Sequence, residues 1–231
     1  MHKSIIITGS LVSLLALSGC GNENTATTND NTSTKTASAQ TTDNNTATTK
    51  KPLIVYFSYG ENANLPENVD TSAHASIQQW NDETTGNTGV VAHMIQEDTN
   101  GDIFSIKTVE KYPANYDATV DIGKQELENN IRPTLANHIS NLTDYDTIFI
   151  GYPNWWSDMP MAMYSFFDEY DFSGKNIILF NTSGGSQFSD TVNTVKQLEP
   201  NANVSEGLTI SANNSTSAKN EIDEWLQSIN Y

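Results

Sequence analysis

Residues 51–231 predict an α/β domain, a parallel β-sheet with helices on both faces. Short, continuous apolar runs such as residues 53–57 are typical of strands buried on both faces of a sheet. These runs alternate with segments whose apolar residues recur at the helical period, as in residues 88–98. Such alternation requires right-handed crossovers, so the predicted fold is a doubly wound α/β sheet.

Five strands and five helices are predicted in this order. Residues 147–151 and 176–181 repeat the apolar pattern of the first strand, whereas residues 204–210 show it more weakly. Pro160 suits the first turn of the helix that follows it. The predicted strands are 53–57, 102–107, 147–151, 176–181 and 204–210. The predicted helices are 88–98, 116–130, 161–167, 190–198 and 217–229.

Residues 1–19 have the layout of a secretory signal peptide, with Lys3 near the start, an apolar stretch and small residues before Cys20. The apolar stretch is too short to span a bilayer comfortably, which takes about 20 apolar residues. The small residues before this sole cysteine resemble the lipobox of bacterial lipoproteins. The resemblance implies cleavage before Cys20 and lipid on its thiol; the alternative is an ordinary signal peptide with an incidental cysteine.

Residues 20–50 form the predicted linker between the lipidated cysteine and the folded domain. They are rich in Thr, Asn, Ser and Ala and hold few large apolar side chains. Such a segment cannot bury enough surface to offset its ordering entropy, so we expect it to be disordered. It is either a spacer from the membrane or a linker without further function. Residues 51–231 suffice for one domain with its own core.

The chain is strongly acidic, with 28 Asp and Glu against 11 Lys and Arg and a net charge of −17. This balance argues against nucleic-acid binding and against electrostatic binding to anionic lipid. A lipidated Cys20 would leave no thiol for disulfides or metal binding. His74, His93 and His138 lack the spacing of metal ligands, so we expect surface or capping roles and no metal site.

Three loops follow the first, third and fourth predicted strands. In parallel sheets, ligands bind beyond the carboxyl ends of the strands, where the strand order reverses. The first loop begins at Ser58 and reaches a helix at Gly86, Asn87 and Thr88. A helix start with hydroxyls and a glycine can cradle a phosphate, although these residues are also a common helix cap. Residues 61–85 are inserted between the two parts, so the cradle requires this insertion to fold back.

The second loop contains Pro153, Asn154, Trp155 and Trp156. Adjacent tryptophans after a buried strand are difficult to place in a core, and their flat rings can stack on a planar heterocycle. The alternative is packing against the following helix. We expect one indole to pack there and the other to face a ligand.

The third loop contains Thr182, Ser183, Gly184 and Gly185, small residues that let the backbone approach a flat ligand edge. A flexible connector is the alternative for this loop taken alone. Taken together, the three loops favour a single binding site at one edge of the sheet.

The loops resemble those of the flavodoxin family, and the match runs over residues 53–229. The resemblance implies a flavodoxin-like five-stranded sheet of order 2-1-3-4-5 that binds FMN non-covalently. It places Ser58, Asn87 and Thr88 at the phosphate, residues 153–156 beside the isoalloxazine and residues 182–185 at its other edge. The matching pieces are Val-Tyr-Phe-Ser at 55–58, Gly-Asn-Thr-Gly-Val-Val-Ala at 86–92, Tyr-Pro-Asn-Trp-Trp at 152–156 and Asp-Phe-Ser-Gly-Lys at 171–175.

The resemblance and the leader together imply an FMN-dependent electron carrier or oxidoreductase, anchored by lipid outside the bacterial cytoplasmic membrane. Nicotinamide cofactors are scarce there, so we expect a membrane redox protein or a quinone as the partner. The sequence identifies no catalytic acid or base. The main alternative is a non-catalytic lipoprotein that binds flavin or another aromatic ligand. A surface interaction protein that uses residues 61–85 is a third reading.

Overall fold

A computed structural model describes residues 50–66 and 76–231. The expectations for residues 1–19, Cys20, His74 and the linker up to residue 49 lie outside the described residues. The strands are β1 (Leu53–Phe57), β2 (Ile77–Trp80), β3 (Glu83–Gly86), β4 (Asp102–Ile106), β5 (Thr147–Pro153), β6 (Asn176–Ser183) and β7 (Asn203–Ser211). The helices are α1 (Tyr59–Asn62), α2 (Asn87–Thr99), α3 (Tyr116–Glu128), α4 (Met161–Glu169), α5 (Thr191–Leu198) and α6 (Lys219–Ser228), with short 3₁₀ helices at Leu142–Asp144 and Ala212–Ser217.

The central sheet is parallel and has the order β4-β1-β5-β6-β7. Counted along the chain, these five strands have the predicted order 2-1-3-4-5, and the doubly wound α/β class is confirmed. β2 and β3 form a separate two-stranded antiparallel sheet. The order reverses beside β1, so β1 and β5 flank the point where a ligand site is expected.

Alternating side chains of β1 enter two different cores. Leu53, Val55 and Phe57 are buried in the cluster that also contains residues of α4 and α5, and Ile122 of α3 packs against it. Ile54 and Tyr56 are buried in the cluster that contains residues of α2 and α6. Because successive strand residues point to opposite faces, a continuous apolar run is what a strand covered on both sides requires.

The insertion between Ser58 and Gly86 contains a hairpin that the apolar pattern did not predict. β2 and β3 pair in antiparallel register, with Ile77 opposite Gly86. Asn81 and Asp82 connect them with φ values of 46° and 68°. A two-residue turn with both φ values positive suits tight hairpins and favours Asn and Asp, so this dipeptide was the missed signal.

Two loop assignments need correction because their first residues belong to strands. Pro153 lies opposite Thr182 in the β5–β6 ladder, and Ser183 lies opposite Ser211 in the β6–β7 ladder. The sheet therefore continues up to the edge of the site and fixes the backbone there. Among the described residues, none of the helices is long and apolar enough to cross a membrane.

Candidate functional site

A cavity of about 570 Å³ lies at the carboxyl ends of β1, β5 and β6. Its volume falls within the range of about 300–1,000 Å³ that is usual for small-molecule sites. Residues of all three predicted loops line it, so the structure brings those loops together. Gly86 and Gly185 are the predicted residues that do not line it. The predicted residues that do are Ser58, Asn87, Thr88, Pro153, Asn154, Trp155, Trp156, Thr182, Ser183 and Gly184.

The two described parts of the split first loop, Ser58 and Gly86, lie side by side. Gly86 ends β3 and is the N-cap of α2, where it provides no side-chain cap. A Cβ atom on Gly86 would lie 2.6 Å from the Oγ of Ser58, so only glycine allows this approach. Ser58 and the start of α2, the two parts of the predicted cradle, therefore lie in contact.

Ser58, at the end of the cavity next to α2, has a buried hydroxyl without a hydrogen-bond partner among the described residues, and the residue is 1% exposed. Buried hydroxyls almost always have a partner, and one left without costs free energy. The hydroxyl sits beside the N-terminus of α2, where backbone N–H groups and the helix dipole favour an anion.

Side-chain hydrogen bonds connect the start of α2 to β6, β2 and the 3₁₀ helix Ala212–Ser217. The Oγ1 atoms of Thr88 and Thr182 lie 2.8 Å apart in a hydrogen bond. The Oδ1 of Asn87 accepts hydrogen bonds from Gln78 Nε2 at 2.9 Å and from Ser215 Oγ at 2.8 Å. The contact joins Thr182 of the third loop to the helix that follows the first loop.

Trp155 is the tryptophan of the pair that packs against the core. Trp155 makes edge contacts with Phe57 and Tyr112, with ring centroids 5.7 and 5.3 Å apart. A Cβ on Gly123 of α3 would lie only 3.3 Å from the Trp155 ring. The indole therefore packs against α3, which precedes the loop, and against the core cluster that also contains residues of α4. Long-range packing of this kind leaves no local signal in the sequence.

Trp156 is 49% exposed at the cavity and also lies on α3. Its Nε1 donates a hydrogen bond to the backbone oxygen of Val120 at 3.1 Å, and Lys124 Nζ lies 5.5 Å from the ring centroid. Trp156 and Ser157 have φ values of 55° and 62°, a conformation that is strained for residues other than glycine. The tight turn keeps the indole at the rim.

The second and third loops are joined by hydrogen bonds. Asn154 Nδ2 donates to the backbone oxygen of Gln187 at 2.9 Å and to Ser189 Oγ at 3.0 Å. Ser183 Oγ accepts from the backbone N–H groups of Gly185 and Gln187. Asn154 and Ser183 therefore order the edge of the cavity, while Gly184 and Gly185 leave open space beside it.

One wall of the cavity comes from α3, a helix that the sequence predicts but does not place at the site. Its exposed rim residue is Tyr116, at 69% exposure. The signal in the sequence was Tyr116, a large aromatic residue at the start of a predicted helix. The lining residues that were missed are Tyr59, Ser76, Tyr116, Thr119, Val120, Gly123, Ala212 and Asn213.

The described lining of the cavity contains no Asp, Glu, Lys, Arg or His side chain. An anion would therefore be held by hydroxyls, backbone N–H groups and the α2 dipole. Within the described residues, no group of three His, Cys, Asp or Glu could hold a metal ion. His93 is half-buried: it stacks on Trp80 with ring centroids 5.6 Å apart, and burial lowers its pKa.

Comparisons with known proteins agree with this geometry. A protein assigned as a flavoprotein from Bacteroides uniformis is 24% identical, with a TM-score of 0.59 over 78% of this chain and 99% of the other. A flavoprotein in complex with FMN from Lactobacillus acidophilus is 20% identical, with a TM-score of 0.53 over 76% and 98%. At these identities the likeness shows the fold. Functionally curated proteins gave no significant match. The family model described as Flavodoxin matches residues 81–229, more than half of the chain, and the chain therefore belongs to the flavodoxin family.

Proposed function

We propose that this protein binds FMN in the cavity and serves as an electron carrier or oxidoreductase outside the cytoplasmic membrane. The observation that carries the proposal is the buried, unpartnered hydroxyl of Ser58 beside the N-terminus of α2. Such a pair is suited to a phosphate, which accepts hydrogen bonds and favours the positive end of a helix dipole. The relative from Lactobacillus acidophilus that binds FMN shares this fold.

The residues present fit both the phosphate and the ring of FMN. Ser58 and Thr88 would bind the phosphate, and neutral donors are appropriate because no cation lines the described cavity. Trp156 offers a flat face for the ring at the rim, and Trp155 supports the wall behind it. Asn154 and Ser183 would hold the backbone at the other ring edge. Bound FMN would supply the one- and two-electron chemistry, and the chain would orient it and limit its contact with water.

The partner we favour is a quinone-type acceptor. Tyr116 and Trp156 border the cavity at 69% and 49% exposure, so its rim offers flat, largely apolar surfaces. Such surfaces suit an uncharged planar ring better than a highly charged dinucleotide. A membrane redox protein is the other donor or acceptor that an extracytoplasmic location allows.

Anchoring through lipid on Cys20 is part of the proposal and rests on the leader sequence. A tether would raise the local concentration of the domain at the membrane, where quinones are dissolved. Replacement of Cys20 by Ser should release the protein from the membrane fraction if the anchor exists. Retention of the Cys20→Ser protein in that fraction would contradict lipid anchoring without affecting the proposal on flavin.

A titration of the purified full chain with FMN tests whether the protein binds this cofactor. We expect saturable binding at micromolar or lower concentration, with the flavin absorbance shift and fluorescence quenching of a bound ring. Failure to bind FMN at micromolar concentration would refute the proposal. Dithionite reduction of the loaded protein under argon, followed by addition of a soluble quinone, then tests electron transfer.

The second candidate is a lipoprotein that captures flavin without redox work. It is favoured by one observation: no His, Cys or carboxylate side chain lines the described cavity to move a proton. Rapid reoxidation of the reduced protein by the quinone, faster than that of free reduced FMN, would favour the carrier. Reoxidation no faster than for free FMN would favour capture.

A further inference from the structure

One carboxylate connects the two halves of the split first loop. Glu61 lies three residues after Ser58, and Thr85 directly precedes Gly86. Thr85 Oγ1 donates a hydrogen bond of 2.5 Å to Glu61 Oε1. The bond therefore joins the segment that carries Ser58 to the residue before the N-cap of α2. Glu61 itself does not line the cavity.

The carboxylate of Glu61 is saturated with donors from separate parts of the chain. Tyr56 of β1 donates to Oε1 at 2.8 Å, Ser105 of β4 donates to Oε2 at 2.6 Å, and Lys107 Nζ pairs with Oε2. Only 10% of the side chain is exposed. Burial alone would raise the pKa of Glu61, but Lys107 and the hydroxyl donors outweigh it, so the pKa lies below its ordinary value.

The backbone around Glu61 is held as closely as its side chain. A Cβ on Gly60 would lie 1.9 Å from the backbone oxygen of Thr85, so α1 and β3 are in direct contact. Lys111 Nζ donates to the backbone oxygen of Glu61 at 2.5 Å. These contacts restrict the position of β3. Loss of a donor to a buried carboxylate strongly destabilises the folded protein.

We propose that Glu61 is a positioning residue for the phosphate end of the cavity. Its carboxylate fixes Thr85, which places Gly86 and the first turn of α2 against Ser58. The insertion thereby builds from separate segments the cradle that a contiguous loop would otherwise supply. This inference rests on the proposed binding of a flavin phosphate. It requires that Glu61 act on the phosphate end and not on the ring end of the cavity.

The test compares FMN with riboflavin, which has the same ring and no phosphate. Binding of both to the full chain is measured by fluorescence for the wild type, Glu61→Gln, Thr85→Ala and Thr85→Ser. We expect Glu61→Gln and Thr85→Ala to weaken FMN binding about tenfold or more while riboflavin binding is unchanged. Thr85→Ser keeps the hydroxyl and should bind FMN like the wild type. Glu199→Gln, the same chemical change on a half-buried carboxylate outside the cavity lining, is the matched control.

The outcomes separate this inference from the proposed function. The positioning role would be overturned if Glu61→Gln and Thr85→Ala lost equal affinity for FMN and riboflavin, or lost none for either. It would also be overturned if Thr85→Ser lost as much FMN affinity as Thr85→Ala. If the wild type binds both flavins equally, the cavity takes a flavin without a phosphate cradle, and only this inference falls. If the wild type binds neither flavin, the inference and the proposed function fall together. Thr85→Ala removes a single hydrogen bond, so it tests the inference even if Glu61→Gln does not fold.

Discussion

Replacement of Ser58 by Ala should stabilise the flavin-free protein and weaken its binding of FMN. The Oγ of Ser58 is buried and has no partner in the described part of the chain. A hydroxyl in that state costs about 1–3 kcal/mol, because it has lost water and gained nothing in return. Alanine removes the hydroxyl and leaves only a small void in its place.

The lower end of that range predicts a measurable change in thermal stability. For a domain of this size, ~1 kcal/mol corresponds to a rise in Tm of about 2–4 °C. Binding should change in the opposite direction, because a hydrogen bond to a charged phosphate contributes ~1.5–3 kcal/mol. That loss corresponds to an increase in Kd for FMN of about 10- to 150-fold. Affinity for riboflavin should not change.

Calorimetry of the flavin-free protein and a flavin titration measure the two effects. Ser215→Ala is the matched control for stability: Ser215 is equally buried, but its Oγ donates to Asn87 Oδ1 at 2.8 Å. We expect that variant to lose stability. The reasoning would be refuted if Ser58→Ala lowered the Tm as Ser215→Ala does, or if it bound FMN as tightly as the wild type.

Three further predictions concern other parts of the molecule. Gly86→Ala should abolish FMN binding and lower the Tm, because its Cβ would overlap Ser58 Oγ; normal binding would contradict the close approach. Trp156→Gly should weaken FMN and riboflavin binding equally, because it removes a contact with the flavin ring. Ser157→Gly is the control: it relieves a similar backbone strain and should leave the binding of both flavins unchanged. Burial, followed by the charge of Asp171, raises the pKa of Glu199 to about 7. The folded state therefore binds this proton more tightly than the unfolded chain, so the contribution of Glu199 to stability should be lost as pH rises from about 4.5 to 7. Glu199→Gln should reduce that loss in a comparison of Tm values at the two pH limits.

The sheet could be predicted from the sequence because each strand carries its own local signal. A run such as Leu53–Phe57 has apolar side chains at every position, which only a strand covered on both faces requires. In a parallel sheet the carboxyl ends of neighbouring strands meet at one edge, so the loops after β1, β5 and β6 had to lie together. The position of the cavity therefore followed from the strand positions.

The parts that escaped prediction depend on contacts between distant residues. Nothing near Trp155 in the sequence indicates that it packs on α3, since the contact is made through Gly123. The role of Glu61 requires donors from β1, β3 and β4, and these segments come together only in the folded chain. Likewise, Pro153 and Thr182 became strand residues because each pairs with the other across the ladder.

The charge distribution explains why the proposed phosphate end of the cavity would use neutral groups. A chain of net charge −17 repels anions at long range, so any attraction must be local. The N-terminus of α2 and the Ser58 hydroxyl supply such local attraction without a cation. The nearby buried charge of Glu61 is neutralised by Lys107, and therefore it organises the cradle without opposing the ligand. An uncompensated carboxylate at that position would both destabilise the fold and repel a phosphate, which is why the ion pair and the cradle are best understood as one unit.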